Sequence, residues 1–189
     1  MAHYGRALHR TVGIDTVKFL RLVNDETFTR SLGVNATNLE GYLFPNTYAF
    51  NWRADEEDVI KRLVQQTARQ FTDSMQVRMK ELRMSIHQVL TLASIIEGEA
   101  FLDDERPTIS GVYHNRLRKG IRLEADPTIQ FLLSNGHRRI LFRDLEIRSP
   151  YNTYMNIGLP PGPICNPRHA SIMAALYPEK HGFLFFVAN

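Results

Sequence analysis

Ser85-Ile86-His87-Gln88-Val89-Leu90-Thr91-Leu92-Ala93-Ser94-Ile95-Ile96-Glu97-Gly98-Glu99 is the stretch on which the fold turns. Ser85 and Gln88 fit a capping box, in which each side chain satisfies the other's backbone donor. From Ile86 to about Ile96 the residues are apolar nearly all round, the pattern of a helix enclosed by the rest of the protein. Gly98 reads as its C-terminal stop. Glu97 then stands where a buried helix reaches a surface. Burial favours the neutral carboxyl and no basic residue lies within four positions, so Glu97 is predicted to titrate above the ~4.3 of a free Glu. A carboxyl that keeps its proton near neutral pH can act as general acid on an acetal such as a glycosidic bond. Glu99, two residues on, does not share a face with Glu97 on a regular helix. The two are therefore not read as a paired-carboxylate dyad.

Outward from this helix the pattern stays mostly helical. Asp15 can cap a helix running to about Leu32, and Asp55, followed by Glu56, Glu57 and Asp58, opens another that could reach Leu82. Asp103 or Asp104 can cap the next, with Pro107 in its first turn and Gly120 at its end. Asn166-Pro167 opens a last helix through Leu176. Leu39 to Phe50 alternates aromatic and polar residues around Pro45 and reads as strand and turn. Phe183 to Val187 is an apolar run read as a buried strand. Long helices with few, separated strands indicate an α+β fold, mostly helical with a small antiparallel sheet.

Composition narrows the function classes. The chain has 189 residues, 43% of them hydrophobic, enough for one ordinary globular domain. A net charge of +3 and an isoelectric point near 9.1 are compatible with an anionic polymer without choosing one. The basic residues are scattered, with short groupings at Arg116-Leu117-Arg118-Lys119 and His137-Arg138-Arg139, and no nucleic-acid motif accompanies them. Nucleic acid is not an expected partner. The single Cys165 excludes an internal disulfide and a cysteine-based zinc site. The seven histidines lack any ligand spacing, and no phosphate loop, dinucleotide fingerprint or Gly-x-Ser-x-Gly elbow appears. Neither a metal nor a cofactor is expected. No run approaches the roughly 18 apolar residues of a membrane span, and the N-terminus lacks the apolar core of a signal peptide.

Two loops carry further polar groups. Asp126 before Pro127 reads as a helix cap in preference to a substrate contact. Tyr151-Asn152-Thr153-Tyr154 offers amide, hydroxyl and aromatic faces, the mixture that binds sugars. It reads equally as a surface loop packed by its tyrosines. Gly158-Leu159-Pro160-Pro161-Gly162-Pro163 reads as a stiff turn.

Six blocks in order carry a resemblance: Leu39 to Tyr48, Leu92 to Glu97, Asn115-Arg116-Leu117, Asp126-Pro127-Thr128, Ser149 to Tyr154, and Gly158 to Gly162. Together, over about Asn38 to Val187, they resemble the YceG-like family, the bacterial endolytic murein transglycosylases called MltG. The resemblance implies cleavage between N-acetylmuramic acid and N-acetylglucosamine within peptidoglycan strands. No water nucleophile is implied: the muramyl 6-hydroxyl attacks its own anomeric carbon and leaves a 1,6-anhydro end. It places the catalytic Glu on Glu97, acting as acid and then base. It makes Asn115, Glu124, Asp126, Thr128, Tyr151, Asn152 and Tyr154 candidate substrate-binding residues. It also implies a catalytic domain over 38–189, shortened at its C-terminus, after a remnant of a LysM-like module over 1–37. Its members carry a membrane anchor that these residues lack, act on the cell-wall side of the inner membrane, and partner the peptidoglycan synthesis machinery. The alternatives are a wall-binding or scaffold module without turnover, and a muramidase in which water attacks with Asp126 as base.

Overall fold

The computed structural model describes residues 1–133 and 138–187; His137 of the second basic grouping and the final Asn189 lie outside them. The described residues form nine α-helices: α1 (Ala2–Val12), α2 (Thr16–Val23), α3 (Glu26–Ser31), α4 (Glu56–Gln70), α5 (Asp73–Leu82), α6 (Ile86–Glu99), α7 (Arg106–Lys119), α8 (Asp126–Leu132) and α9 (His169–Leu176). A 3₁₀ turn covers Phe142–Glu146.

Helix α6 is the hub. Its capping box forms as the sequence predicts, Ser85 Oγ accepting from the Gln88 N–H and Gln88 Oε1 from the Ser85 N–H. Every residue from Val89 to Ile96 is buried, because α7, α8 and α9 pack around it. Helices α1 and α4 each pack against α2, forming the N-terminal end of the fold. Val12, Phe19 and Val23 from this end share one apolar cluster with Leu63, Leu92, Ile95 and Ile172. Burial of this kind contributes roughly 25 cal/mol per Å² of apolar surface removed from water.

The expected α+β class is not what forms: among the described residues there is no strand, and the fold is helical. Both predicted strands run as irregular chain for identifiable reasons. In the Leu39–Phe50 segment the consecutive residues Tyr42, Leu43 and Phe44 are all buried, so the alternation needed for a one-sided sheet is absent. Its backbone is satisfied locally and by side chains. The Leu43 N–H donates to Asn166 Oδ1, and the Tyr42 carbonyl accepts from Thr67 Oγ1. The terminal apolar run is not a buried strand either, since Phe183, Phe185 and Val187 are largely exposed. Its carbonyls bond to α7 side chains. Asn115 Nδ2 donates to His181 and Phe183, and Arg116 Nε to Leu184.

Helix boundaries depart from expectation in smaller ways. The helix predicted from Asp15 to Leu32 breaks at Asn24, where Asp25 starts α3 by accepting from the Phe28 N–H. The one predicted to reach Leu82 breaks at Phe71, and Thr72 caps α5. Helix α9 starts two residues beyond Asn166-Pro167, at His169. Gly98 does not stop α6, which continues through Glu99. A Cβ on Gly98 would lie 2.6 Å from Pro127 Cβ, so the glycine is there because α8 crosses at contact distance.

Candidate active site

Near its end α6 presents two carboxyls in opposite directions. Two residues turn an α-helix by roughly 200°, so Glu97 and Glu99 enter different surroundings.

Glu97 faces the start of α9. Its Oε1 accepts from Arg168 Nε at 2.8 Å, and its Oε2 accepts from the Arg168 N–H at 3.1 Å and Ser171 Oγ at 2.7 Å. Arg106 Nη1 stands 3.5 Å from Oε2, on a side chain only 1% exposed. The carboxylate thus supplies negative charge at a helix N-terminus and partners a buried guanidinium. Burial alone would raise the Glu97 pKa, but the hydrogen bonds from Ser171 and Arg168 and the charge of Arg106 together lower it. The expectation of a raised value fails here. Its partners lie on α7 and α9, out of view of a four-residue window along the chain.

Glu99 points the other way, into a pocket of about 320 Å³ between α6, α7 and α8. Tyr113, Arg116, Leu123, Glu124, Asp126 and Tyr154 line it with Phe185 and Phe186. The fully buried Tyr113 donates its hydroxyl to Glu99 Oε1 at 2.9 Å. Tyr154 donates to Asp126 Oδ1 across the pocket. Burial pushes the Glu99 carboxyl up to about 7; the Tyr113 hydrogen bond opposes the rise and the negative charge of Asp126 adds to it. This is a carboxyl carrying its proton over much of the neutral range, beside a second carboxylate that lacks its burial. Chemically, the arrangement can donate a proton to an oxygen placed in the pocket and then accept one.

Of the candidates named from sequence, Glu124, Asp126 and Tyr154 meet in this pocket. Glu124 does so with a positive φ of 50°, a conformation that costs a non-glycine residue energy and is found at functional sites. Arg116 Nη1 reaches its carboxylate at 3.1 Å. Asp126 is the first residue of α8, and the N-cap position falls on Ala125. The other candidates lie elsewhere. Thr128 is buried under the α8 turn, exchanging hydrogen bonds with Ala125 and Thr153. Asn152 is also fully buried, its amide holding the Leu145 and Ile147 carbonyls. Tyr151 packs against Phe131, ring centroids 5.0 Å apart. Asn115 ties down the terminal segment and lines a second cavity, about 950 Å³. That cavity is larger but chemically quieter. Its carboxyls are engaged, Glu81 by Arg78 and Glu179 by Thr108.

Sequence reasoning did not name Glu99, Tyr113, Arg116 or Phe185 as candidate site residues, and all four line this pocket. Tyr113 and Arg116 are three apart on α7 and so share a face, but nothing local shows that Glu99 lies opposite that face. Among the described residues no group of three or more His, Cys, Asp or Glu side chains could hold a metal ion. Nor is any described helix long and apolar enough to cross a membrane.

A family model described as the YceG-like family matches residues 6–189. An endolytic murein transglycosylase of Bacillus subtilis is 46% identical over 152 residues, covering 80% of this chain and 42% of that protein. One from Streptococcus pneumoniae serotype 2 is 30% identical over 191 residues, covering 90% of this chain and 34% of its own. The crystal structure of a putative yceG-like protein from Listeria monocytogenes is similar with a TM-score of 0.86 at 36% identity, covering 97% of this chain and 65% of that one. The chain thus spans less than half the length of these two curated relatives.

Proposed function

Because the chain belongs to the YceG-like family, we propose that it is the strand-cleaving part of an endolytic murein transglycosylase, with Glu99 rather than Glu97 as the acid. The observation that carries this reading is the Glu99 carboxyl at about 7 in a pocket with Asp126 and Tyr154. Glu97, by contrast, is engaged with Arg106, Arg168 and Ser171.

The steps follow from one carboxyl working twice. Protonated Glu99 gives its proton to the oxygen leaving the muramyl anomeric carbon, and the bond between that carbon and oxygen breaks. The negative charges of Asp126 and Glu124 stabilise the positive charge that develops on the sugar. Glu99, now anionic, takes the proton of the muramyl 6-hydroxyl as its oxygen bonds to the anomeric carbon. The products are a 1,6-anhydro end and a free hydroxyl, and Glu99 is protonated again. Tyr113 holds Oε1 and so orients the carboxyl for the proton transfers. On this reading residues 38–189 carry the chemistry, after a LysM-like remnant over 1–37. The substrate is the peptidoglycan strand on the cell-wall side of the inner membrane, and peptidoglycan synthases are the partners.

The test is digestion of isolated sacculi with the parent chain, Glu99→Gln and Glu97→Gln, followed by mass spectrometry of the released fragments. Anhydro-muropeptides from the parent, lost by roughly 10²–10⁴-fold in Glu99→Gln, are expected. Reducing ends instead would indicate a muramidase with Asp126 as base. Undiminished cleavage by Glu99→Gln would remove Glu99 from the mechanism.

A further inference from the structure

We propose that the ring of Phe185 is a platform on which a pyranose ring of the glycan strand stacks beside the acid pocket. The proposal rests on the strand-cleaving reading above and adds a binding element to it.

Phe185 lines the same cavity as Glu99, Asp126 and Tyr154, yet it is 74% exposed. Single exposed apolar side chains are ordinary on a protein surface, but this one belongs to the lining of a polar pocket. The ring is also held in place. The Arg116 guanidinium lies over one of its faces, 4.8 Å from the centroid. That guanidinium is itself fixed by the Arg122 and Leu123 carbonyls and the Glu124 carboxylate. On one side of Phe185, the Leu184 carbonyl accepts from Arg116 Nε at 2.6 Å. On the other, Phe186 turns inward and meets the Tyr113 ring edge-on, centroids 5.7 Å apart. The backbone is therefore tied down before and after the ring, and its exposed surface faces solvent at the pocket mouth.

Chemistry narrows the occupant to a sugar. The pocket's polar groups suit hydroxyls, while a pyranose ring also presents a flat patch of C–H groups that packs on an aromatic face. A ring already immobilised by Arg116 loses little conformational freedom when it is covered. Phe185 carries no acid or base, so its contribution belongs to binding and register, not to the proton transfers.

The test uses Glu99→Gln to suppress turnover and a purified tetrasaccharide of alternating N-acetylglucosamine and N-acetylmuramic acid, with calorimetric titration. Adding Phe185→Ala should weaken binding by about 3- to 10-fold, the scale of one aromatic contact. Phe185→Tyr should bind as the parent does. Phe185→Leu, which keeps apolar area but has no flat face, should weaken binding nearly as much as Ala. Unfolding midpoints should stay together, since the ring is exposed. Parent-like affinity in the Ala or Leu variant would overturn the platform and leave the cleavage reading intact. Failure of Glu99→Gln itself to bind the tetrasaccharide would also overturn it. If the parent then releases nothing from sacculi, the cleavage reading falls with it.

Discussion

Replacing Glu97 by Gln should damage stability more than chemistry. In the parent, the carboxylate accepts three hydrogen bonds and faces Arg106, which is 1% exposed. Gln keeps one acceptor oxygen but puts an NH₂ where donors converge, and it removes the charge. Arg106 then retains only Asp103 as an anionic partner, at 2.9 Å on a side chain 64% exposed. Breaking a buried ion pair typically costs about 3–5 kcal/mol. Here the pair is 3.5 Å apart and Asp103 remains, so the loss should fall at or below the low end, about 2–3 kcal/mol. The half-exposed Arg168 adds little. For a chain of this size each kcal/mol moves the midpoint by roughly 2–4 °C, so a drop of about 5–10 °C is expected. Urea unfolding gives the free energy, and sacculus digestion well below the midpoint gives the activity. A Glu97→Gln protein that unfolds like the parent but no longer cleaves would refute the reasoning and return the catalytic role to Glu97.

Glu99 carries the opposite signature. Its folded pKa, about 7, lies above the ordinary Glu value of 4.5, so the folded state holds a proton that the unfolded state releases. Stability from this group is fully present below about pH 4.5 and declines as pH rises to about 7. Glu99→Gln should therefore unfold about 2–3 kcal/mol less readily than the parent at pH 8 and like it near pH 4, checked by urea titrations at both values; equal stability at pH 8 would contradict the raised pKa. The parent's cleavage rate should fall as pH rises through about 7, because the first step needs the protonated acid. Gly98→Ala should cost about 1–3 kcal/mol despite alanine's better helix propensity, since the new methyl meets Pro127; a stabilised variant in thermal unfolding would show that α8 yields freely. Asn115→Ala should speed amide exchange over 181–185 and cost about 1–2 kcal/mol through its two lost carbonyl contacts; unchanged exchange would show that the segment is held elsewhere.

What could be read from the chain was what neighbours in sequence decide. Ser85 with Gln88, Asp55 ahead of three acids and Gly120 after a basic turn all mark helix ends by contacts within four residues, and all are found there. The choice between Glu97 and Glu99 was not readable this way. Both follow the same apolar helix, and their difference comes from Arg106, Arg168 and Ser171 on one side and Tyr113 and Asp126 on the other. Gly98 misled for the same reason: a glycine signals either a stop or a close approach, and Pro127 decides. Of the residues in the six sequence blocks, Arg116, Asp126 and Tyr154 reach the pocket, joined there by Glu124 from outside the blocks. Asn152 and Thr128 are buried in hydrogen bonds that shape the loops behind it. Alternation of aromatic and polar residues suggested a strand at Leu39–Phe50, and an apolar run suggested one at Phe183–Val187. A strand also needs a partner's backbone, and side chains took those bonds instead.

The terminal segment has a mechanical consequence. Phe185 and Phe186 wall the acid pocket, and two consecutive residues of α7, Asn115 and Arg116, hold three carbonyls of the segment leading to them. The same helix supplies Tyr113, which fixes the Glu99 carboxyl. The wall and the orientation of the acid are thus fastened to one rigid body. A tilt of α7 against α6 would widen the pocket mouth and loosen the hold on Glu99 in a single motion, making aperture and acid strength one degree of freedom.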